Sequence, residues 1–358
     1  MKNRRPIFPF PKRALLLLLA LLSLFAAMWA GLIRLGWGWP AIQPTLPMAH
    51  GVLMVSGFLG TLISLERAVA PGFALALCCT TAHGRGRDAP DGWGSGLARR
   101  ASDHARQRLL VIIMVRILRI HITLYTTVIV AGSLCWLMGN LLWLAGSPVP
   151  QVVTWWIGFP LLTVAGERLE LGRFLRLSAR VTTAFVVCVI VFLAGALLST
   201  IEYALGVRLA GVGLVLLAVW LLRYDIASRR IKAGGQARYI ALCLLSGYVW
   251  LVVGGLLMVL YGGVSAGPIY DAMLHSIFLG FVFAMIFAHA PIVFPAVLER
   301  SFHYSPRLYS QLILLQITLV LRMAGDLLLW PPGRLWGGLL NVLVLLLFLG
   351  NTLASIRK

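Results

Sequence analysis

The 358-residue chain is 60% hydrophobic and only 12% charged, with a mean hydropathy of +0.92 and a formal net charge of +20. No water-soluble core requires that much apolar surface, whereas repeated apolar runs of about 20 residues are what a bilayer interior demands. The runs are continuous rather than alternating, which excludes a transmembrane β-barrel, and the positive charge lies in short loops, where it sets topology rather than gripping nucleic acid. The expected fold class is all-α, a polytopic transmembrane helix bundle forming a single integral membrane domain over 1–358, with the lipid bilayer as its first partner.

The chain opens on MKNRRPIFPFPKR, followed by an apolar run from Ala14 to Ile33. That run is longer than the roughly 7–15 residues of a signal-peptide core and has no small-residue cleavage site, so it reads as a retained first helix. Spans are expected at 14–34, 46–66, 120–144, 151–168, 181–200, 207–222, 239–262, 270–297, 309–330 and 335–354, ten in all. Basic residues crowd alternate connections. The tail holds Lys2, Arg4, Arg5, Lys12 and Arg13, and later loops hold Arg173, Arg176 and Arg180, then Arg223, Arg229, Arg230, Lys232 and Arg238, then Arg300 and Arg307. Arg357 and Lys358 end the chain, while the intervening loops AGSPVP and GGVSAGP contain no basic residue. The positive-inside rule then puts both termini on the cytoplasmic side of an inner membrane.

One stretch fits no span. Residues 71–108, PGFALALCCTTAHGRGRDAPDGWGSGLARRASDHARQR, are rich in glycine, arginine and aspartate, and the adjoining LLVIIMVRILRIH carries Arg116 and Arg119. Two accounts stand: a polar cytoplasmic loop, or a disrupted hairpin of two helices over 71–118. Either preserves the topology, since both flanks lie on the same side. The second account raises the ten visible spans to twelve. His83 and His104 read as solvated loop residues, as do His121 and His303 at or beyond helix ends.

Within a twelve-helix count, three inward-running helices share a pattern. Gly57-Phe58, Gly158-Phe159 and Gly280-Phe281 are followed eight residues after the Phe by Glu66, Glu167 and His289. The steps of 101 and 122 residues suggest three related units of four helices. His50 and His275 each lie about one turn inside the outer end of such a helix, so they share a depth and a direction. Two neutral imidazoles so placed suit axial ligation of a haem iron, with Nε2 on the metal and Nδ1–H held by an acceptor. The competing reading is two unrelated polar residues in a bundle. Asp271, four residues before His275, lies on its helix face and is a candidate acceptor.

His289 lies fourteen residues beyond His275, about 21 Å deeper along a helix and close to four whole turns away, so the two rings are expected on a similar face. Pro291 and Pro295 come just after it and withhold backbone donors. With Glu66 and Glu167 in equivalent register, His289 belongs to an inner polar cluster that can relay protons, bind a metal, or anchor helix ends through Glu–Arg pairs with Arg67 and Arg168. Arg322 and Asp326 are spaced i, i+4 and read as a self-neutralising pair. Cys135, Cys188 and Cys243 fall in apolar spans and read as small buried residues, and Cys78-Cys79 is a vicinal pair in the odd segment. Trp37, Trp39, Trp155, Trp156, Trp330 and Trp336 lie near outer span ends and read as an interfacial belt.

AHGVLMVSGF, around His50, resembles the helix-two haem-ligand motif of the haem–copper oxidase superfamily. LHSIFLGFVFAMIF, around His275, is similar to its helix ten, which carries the second ligand of the low-spin haem. A closer resemblance is to NnrS-type membrane proteins, a haem-associated family linked to nitric oxide stress. The likeness is confined to the stretches around the two histidines and is topological elsewhere. It implies twelve helices in three arcs, a haem toward the outer leaflet, and His50 and His275 as axial iron ligands. A b-type haem is the expected form, and where haem is present Arg322 can meet a propionate instead of Asp326. It departs from the oxidases at copper: the helix with Glu167 and Glu170 and the next one, Val181 to Thr200, hold no histidine. A copper centre, and with it oxygen reduction, is not expected, and no residue is assigned a catalytic role.

The function expected is that of a haem-binding integral membrane protein for redox, nitric oxide or metal handling, working with a redox partner or a small diatomic ligand. The alternative is a small-molecule or ion transporter whose Pro-rich helix and His289 line a substrate path. A purely structural membrane subunit is the third reading.

Overall fold

The computed structural model describes residues 10–69, 122–175 and 177–357. The polar stretch at 71–108, the hairpin at 71–118, His83, His104, His121, Cys78-Cys79 and the basic residues Lys2, Arg4 and Arg5 lie outside the described residues. Among the described residues, ten helices are long and apolar enough to cross a membrane. They are α1 (Arg13–Leu35), α2 (Leu46–Glu66), α3 (Leu124–Leu144), α4 (Val149–Gly172), α5 (Ala179–Leu198), α6 (Tyr203–Tyr224), α7 (Gly235–Tyr261), α8 (Gly267–Leu298), α9 (Leu308–Leu327) and α10 (Pro331–Ser355). Each matches an expected span to within a few residues, because an unbroken apolar run has no other way to satisfy its backbone in hydrocarbon.

Helix ends obey local chemistry. Thr123 starts α3 by accepting the Thr126 amide on its hydroxyl, and Ser178 does the same for Val181 at α5. Proline occupies the first turn of α4, α8 and α10, where its missing N–H costs nothing. Large apolar side chains remain outward along stripes, Ile313, Ile317 and Val320 on α9 and Leu343, Leu346 and Leu353 on α10 among them. Such stripes on a finished fold are surfaces for lipid tails.

The chain divides into two compact units. The first comprises the described part of Met1–Ile122 with Ile292–Ser301, and the second comprises Thr123–Pro291 and Phe302–Arg357. In the first, α1 packs along α2. In the second, α3 pairs with α4, α5 with α6, α6 with α7, α7 with α8, and α9 with α10, while α4 also touches α5, α6 and α8. Lipid tails are as apolar as leucine, so helices associate in membranes through close packing of small residues. Gly195 shows how close: a Cβ there would lie 2.1 Å from the backbone nitrogen of Ala210.

The most enclosed spans are α4 and α8, whose apolar windows are 83% and 72% buried. These two carry Glu167, Asp271, His275 and His289. Free Cys135, Cys188 and Cys243 are buried, as their apolar settings predicted. The tryptophan belt needs correction. Trp330 and Trp336 are 48% and 53% exposed, but Trp155 and Trp156 are only 8% and 0% exposed. Trp156 donates its indole N–H to Asn140 across the α3–α4 pair at 3.1 Å, a packing partner that proximity to a span end does not reveal.

Candidate functional site

Three histidines stand inside the described spans, and all are held alike. His50 on α2 places Nδ1 2.7 Å from the Ala27 carbonyl of α1. His275 and His289, both on α8, place Nδ1 2.9 Å from the Asp271 carbonyl and 2.7 Å from the Met285 carbonyl. A carbonyl oxygen only accepts, so each Nδ1 carries a hydrogen, and in the neutral ring the lone pair is then on Nε2. That is the tautomer and anchoring of an imidazole that ligates metal through Nε2.

His50 presses edge-on against α1, where Gly31 makes room. A Cβ at Gly31 would lie 2.9 Å from Cε1 of the ring and 3.0 Å from Nδ1. His275 has a second neighbour on its Nδ1 side, the Asp271 carboxylate oxygen at 3.3 Å. Asp271 is therefore an acceptor as expected, with its backbone oxygen the nearer of the two.

His50 and His275 each lead into a π-helical turn, Leu53–Leu59 after His50 and Ser276–Phe283 after His275. Each turn contains its Gly-Phe pair, Gly57-Phe58 or Gly280-Phe281. The third pair, Gly158-Phe159, lies in uninterrupted α-helix. Wide turns of this kind concentrate at functional sites. The turn in α8 adds a residue to the path and rotates the remainder of the helix by about 100° relative to a straight one. Along α8, Asp271 meets α9 before the turn, whereas His289 meets α4 after it.

Arg322 on α9 grips Asp271 with Nε at 3.1 Å and Nη2 at 2.8 Å, both on the same carboxylate oxygen. Asp326, 0% exposed, instead has Arg334 of α10 beside it, with Nε 3.0 Å from Oδ1. In place of an i, i+4 pair between Arg322 and Asp326, each carboxylate has its closest basic partner on a neighbouring helix. Two carboxylates and two guanidiniums leave this network formally neutral, the condition for charge at membrane depth.

Deeper in the second unit, His289 Nε2 lies 3.5 Å from Glu167 Oε2 on α4. Arg168 does not anchor its neighbour Glu167. Its Nε lies 3.9 Å from Asp225 at the end of α6. Asp225, 2% exposed, accepts the Tyr248 hydroxyl at 2.5 Å and the Ala227 amide at 2.8 Å. This Arg168–Asp225–Tyr248 cluster escaped the sequence reading. Its three members lie on separate elements, and only Asp225 directly after a long apolar run was a signal. Glu66 stands half-buried on α2 in the first unit, and the Arg67 side chain lies outside the described residues. His303 is exposed in its loop.

An all-α bundle of ten apolar spans, enclosing neutralised charges and lipid-facing leucine stripes, is a multi-pass membrane protein. The chain belongs to the family described as domain of unknown function (DUF8744), whose model matches residues 13–357. No curated protein and no solved structure shows a significant match to this chain.

Proposed function

We propose that this is a haem-binding protein of an inner membrane, both termini cytoplasmic, in which His50 and His275 are the axial iron ligands. The observation that carries this reading is their shared local chemistry. Each ring donates Nδ1–H to a carbonyl, which leaves Nε2 as the ligating atom of the neutral ring, and stands just before a π turn. The donor set fits an iron porphyrin, for which neutral imidazole with an anchored Nδ1–H is an ordinary axial ligand. When bound, haem would supply a one-electron couple and, where an axial position opens, a seat for a diatomic molecule such as nitric oxide.

The chain's own residues would do the rest. Ala27 and Asp271 fix ring orientation through their carbonyls, and the Asp271 carboxylate supports the His275 ring from the same side. Arg322 spends two of its five N–H donors on Asp271, and the others are what a propionate would meet. Ligation by two histidines favours electron transfer or sensing over oxygen chemistry.

Purified full-length protein from haem-replete cells should be red, with a Soret band and a low-spin ferric signal in paramagnetic resonance. His50→Ala or His275→Ala should abolish the low-spin signal. Colourless wild-type protein of normal fold would overturn the reading and favour the transporter.

A further inference from the structure

We propose that the junction of α4, α5, α6 and α7 is a docking surface for the phosphate headgroups of anionic phospholipids. Side-chain contacts draw these span ends together. The Trp220 indole on α6 donates to the Val181 carbonyl of α5 at 2.9 Å, and Arg168 of α4 lies 3.9 Å from Asp225 just past α6. Tyr248 of α7 donates its hydroxyl to the same carboxylate oxygen. Around this junction Arg180, Arg223, Arg229, Arg230, Lys232 and Arg238 are all exposed. Asp225 is the only acidic residue in the stretch 223–238, and it is 2% exposed. On α4, Glu167 faces His289 and Glu170 is half-buried. The exposed surface of the connection between α6 and α7 is therefore purely cationic.

Setting topology requires basic residues in a connection, but it does not require that connection to be folded. This one is. The Asp225 carboxylate accepts the Ala227 amide at 2.8 Å, and the Asp225 carbonyl accepts the Ser228 hydroxyl at 2.8 Å. The turn Ala227–Arg230 packs against α7, with Ala227 2% exposed and Ile226 and Ile231 half-buried. Arg229, Arg230 and Lys232 are thus displayed from a fixed backbone, which reduces the entropy lost on closing around a ligand.

Depth along the spans selects the occupant. Arg223 lies in the last turn of α6, and Arg180 and Arg238 lie in the first turns of α5 and α7. A helical turn rises about 5.4 Å, and the headgroup layer beyond the hydrocarbon is about 5–7 Å thick on each side. These guanidiniums therefore stand level with lipid phosphates, which they grip through paired N–H donors. Tyr224 is 36% exposed, with its ring centroid 5.6 Å from that of Trp220. An amphipathic ring in that position belongs to the same interfacial layer.

The test titrates the full chain in detergent micelles with phosphatidylglycerol or phosphatidylcholine of matched acyl chains, and counts retained lipids by native mass spectrometry. Wild type should hold phosphatidylglycerol at least about 10-fold more tightly, and raising the salt should erode that preference. Each surface cation is worth about fivefold near anionic lipid. The triple variant Arg229→Gln, Arg230→Gln, Lys232→Gln should therefore lose at least about fivefold of the preference. The pair Arg300→Gln, Arg307→Gln, in another basic connection, should keep it. The salt series uses wild type alone, so it needs no variant to fold or insert correctly. Inorganic phosphate should displace no more lipid than chloride of equal ionic strength. The proposal falls if wild type does not distinguish the two lipids, or if its preference ignores salt. It falls equally if the triple variant retains the preference, or if the control pair loses as much. Displacement by phosphate beyond that by chloride would also overturn it, in favour of a soluble phosphate compound.

Discussion

Gly31→Ala tests the seat of His50 without altering the ring. The new methyl carbon would lie 2.9 Å from Cε1, 3.0 Å from Nδ1 and 3.7 Å from Nε2. Ordinary carbon contacts are about 3.5–4.0 Å, so the imidazole must withdraw from α1 by about 0.6 Å. The 2.7 Å bond from Nδ1 to the Ala27 carbonyl then stretches past the useful limit of about 3.2 Å. Losing that bond costs about 0.5–1.5 kcal/mol and crowding the contact about 1–3 kcal/mol. If His50 ligates haem as proposed, some 2–4 kcal/mol is taken from its hold on the iron, a loss of about 30-fold or more in affinity. The rate of haem transfer to a soluble acceptor protein measures that loss, and nitrogen-15 histidine shifts report the tautomer whether or not haem is bound. Gly350→Ala is the control, since a Cβ at Gly350 meets nothing within 4 Å. Haem release and a tautomer unchanged in Gly31→Ala would refute this account of the seat.

Further predictions concern the buried charges. Asp271→Asn and Arg322→Gln should each lower the thermal unfolding midpoint in detergent by the equivalent of about 3–5 kcal/mol, because each leaves one buried charge alone. The double variant should lose less than the sum, and strict additivity would show that the pair does not interact. Tyr248→Phe should cost about 1–2 kcal/mol through its hydroxyl bond to Asp225. Asp225→Ala should cost more, since it strands the tyrosine, the Ala227 amide and Arg168 together. Equal losses in the same assay would refute the role of Asp225 as a shared acceptor.

Much of this fold was legible because a hydrocarbon layer imposes one simple rule. The ten spans were readable from apolar runs, and His50 and His275 stood out because ionisable groups are rare there. What the sequence hid depends on which helices face each other. The i, i+4 spacing of Arg322 and Asp326 pointed to a local pair, yet Asp271 and Arg334 on neighbouring helices are the partners found. Trp155 and Trp156 looked interfacial by position but pack inward, because depth along a span says nothing about the direction a side chain takes. The π turns had no recognised signature beyond a glycine.

The ion pair of Asp271 with Arg322 joins residues 51 positions apart in the chain, a separation that bears on biogenesis. A ribosome delivers α8 to the membrane well before α9 has emerged. Until then the Asp271 carboxyl, in the first turns of α8, lacks its counter-charge, at a cost below the about 2.5–3.5 kcal/mol of an aspartate at mid-span because it lies near the helix end. Retaining α8 at the insertion channel until α9 arrives, or inserting it protonated, removes that penalty. The last three helices are therefore expected to enter the bilayer as a set, with the Asp271–Arg322 and Asp326–Arg334 salt bridges closing only when α9 and α10 are in place.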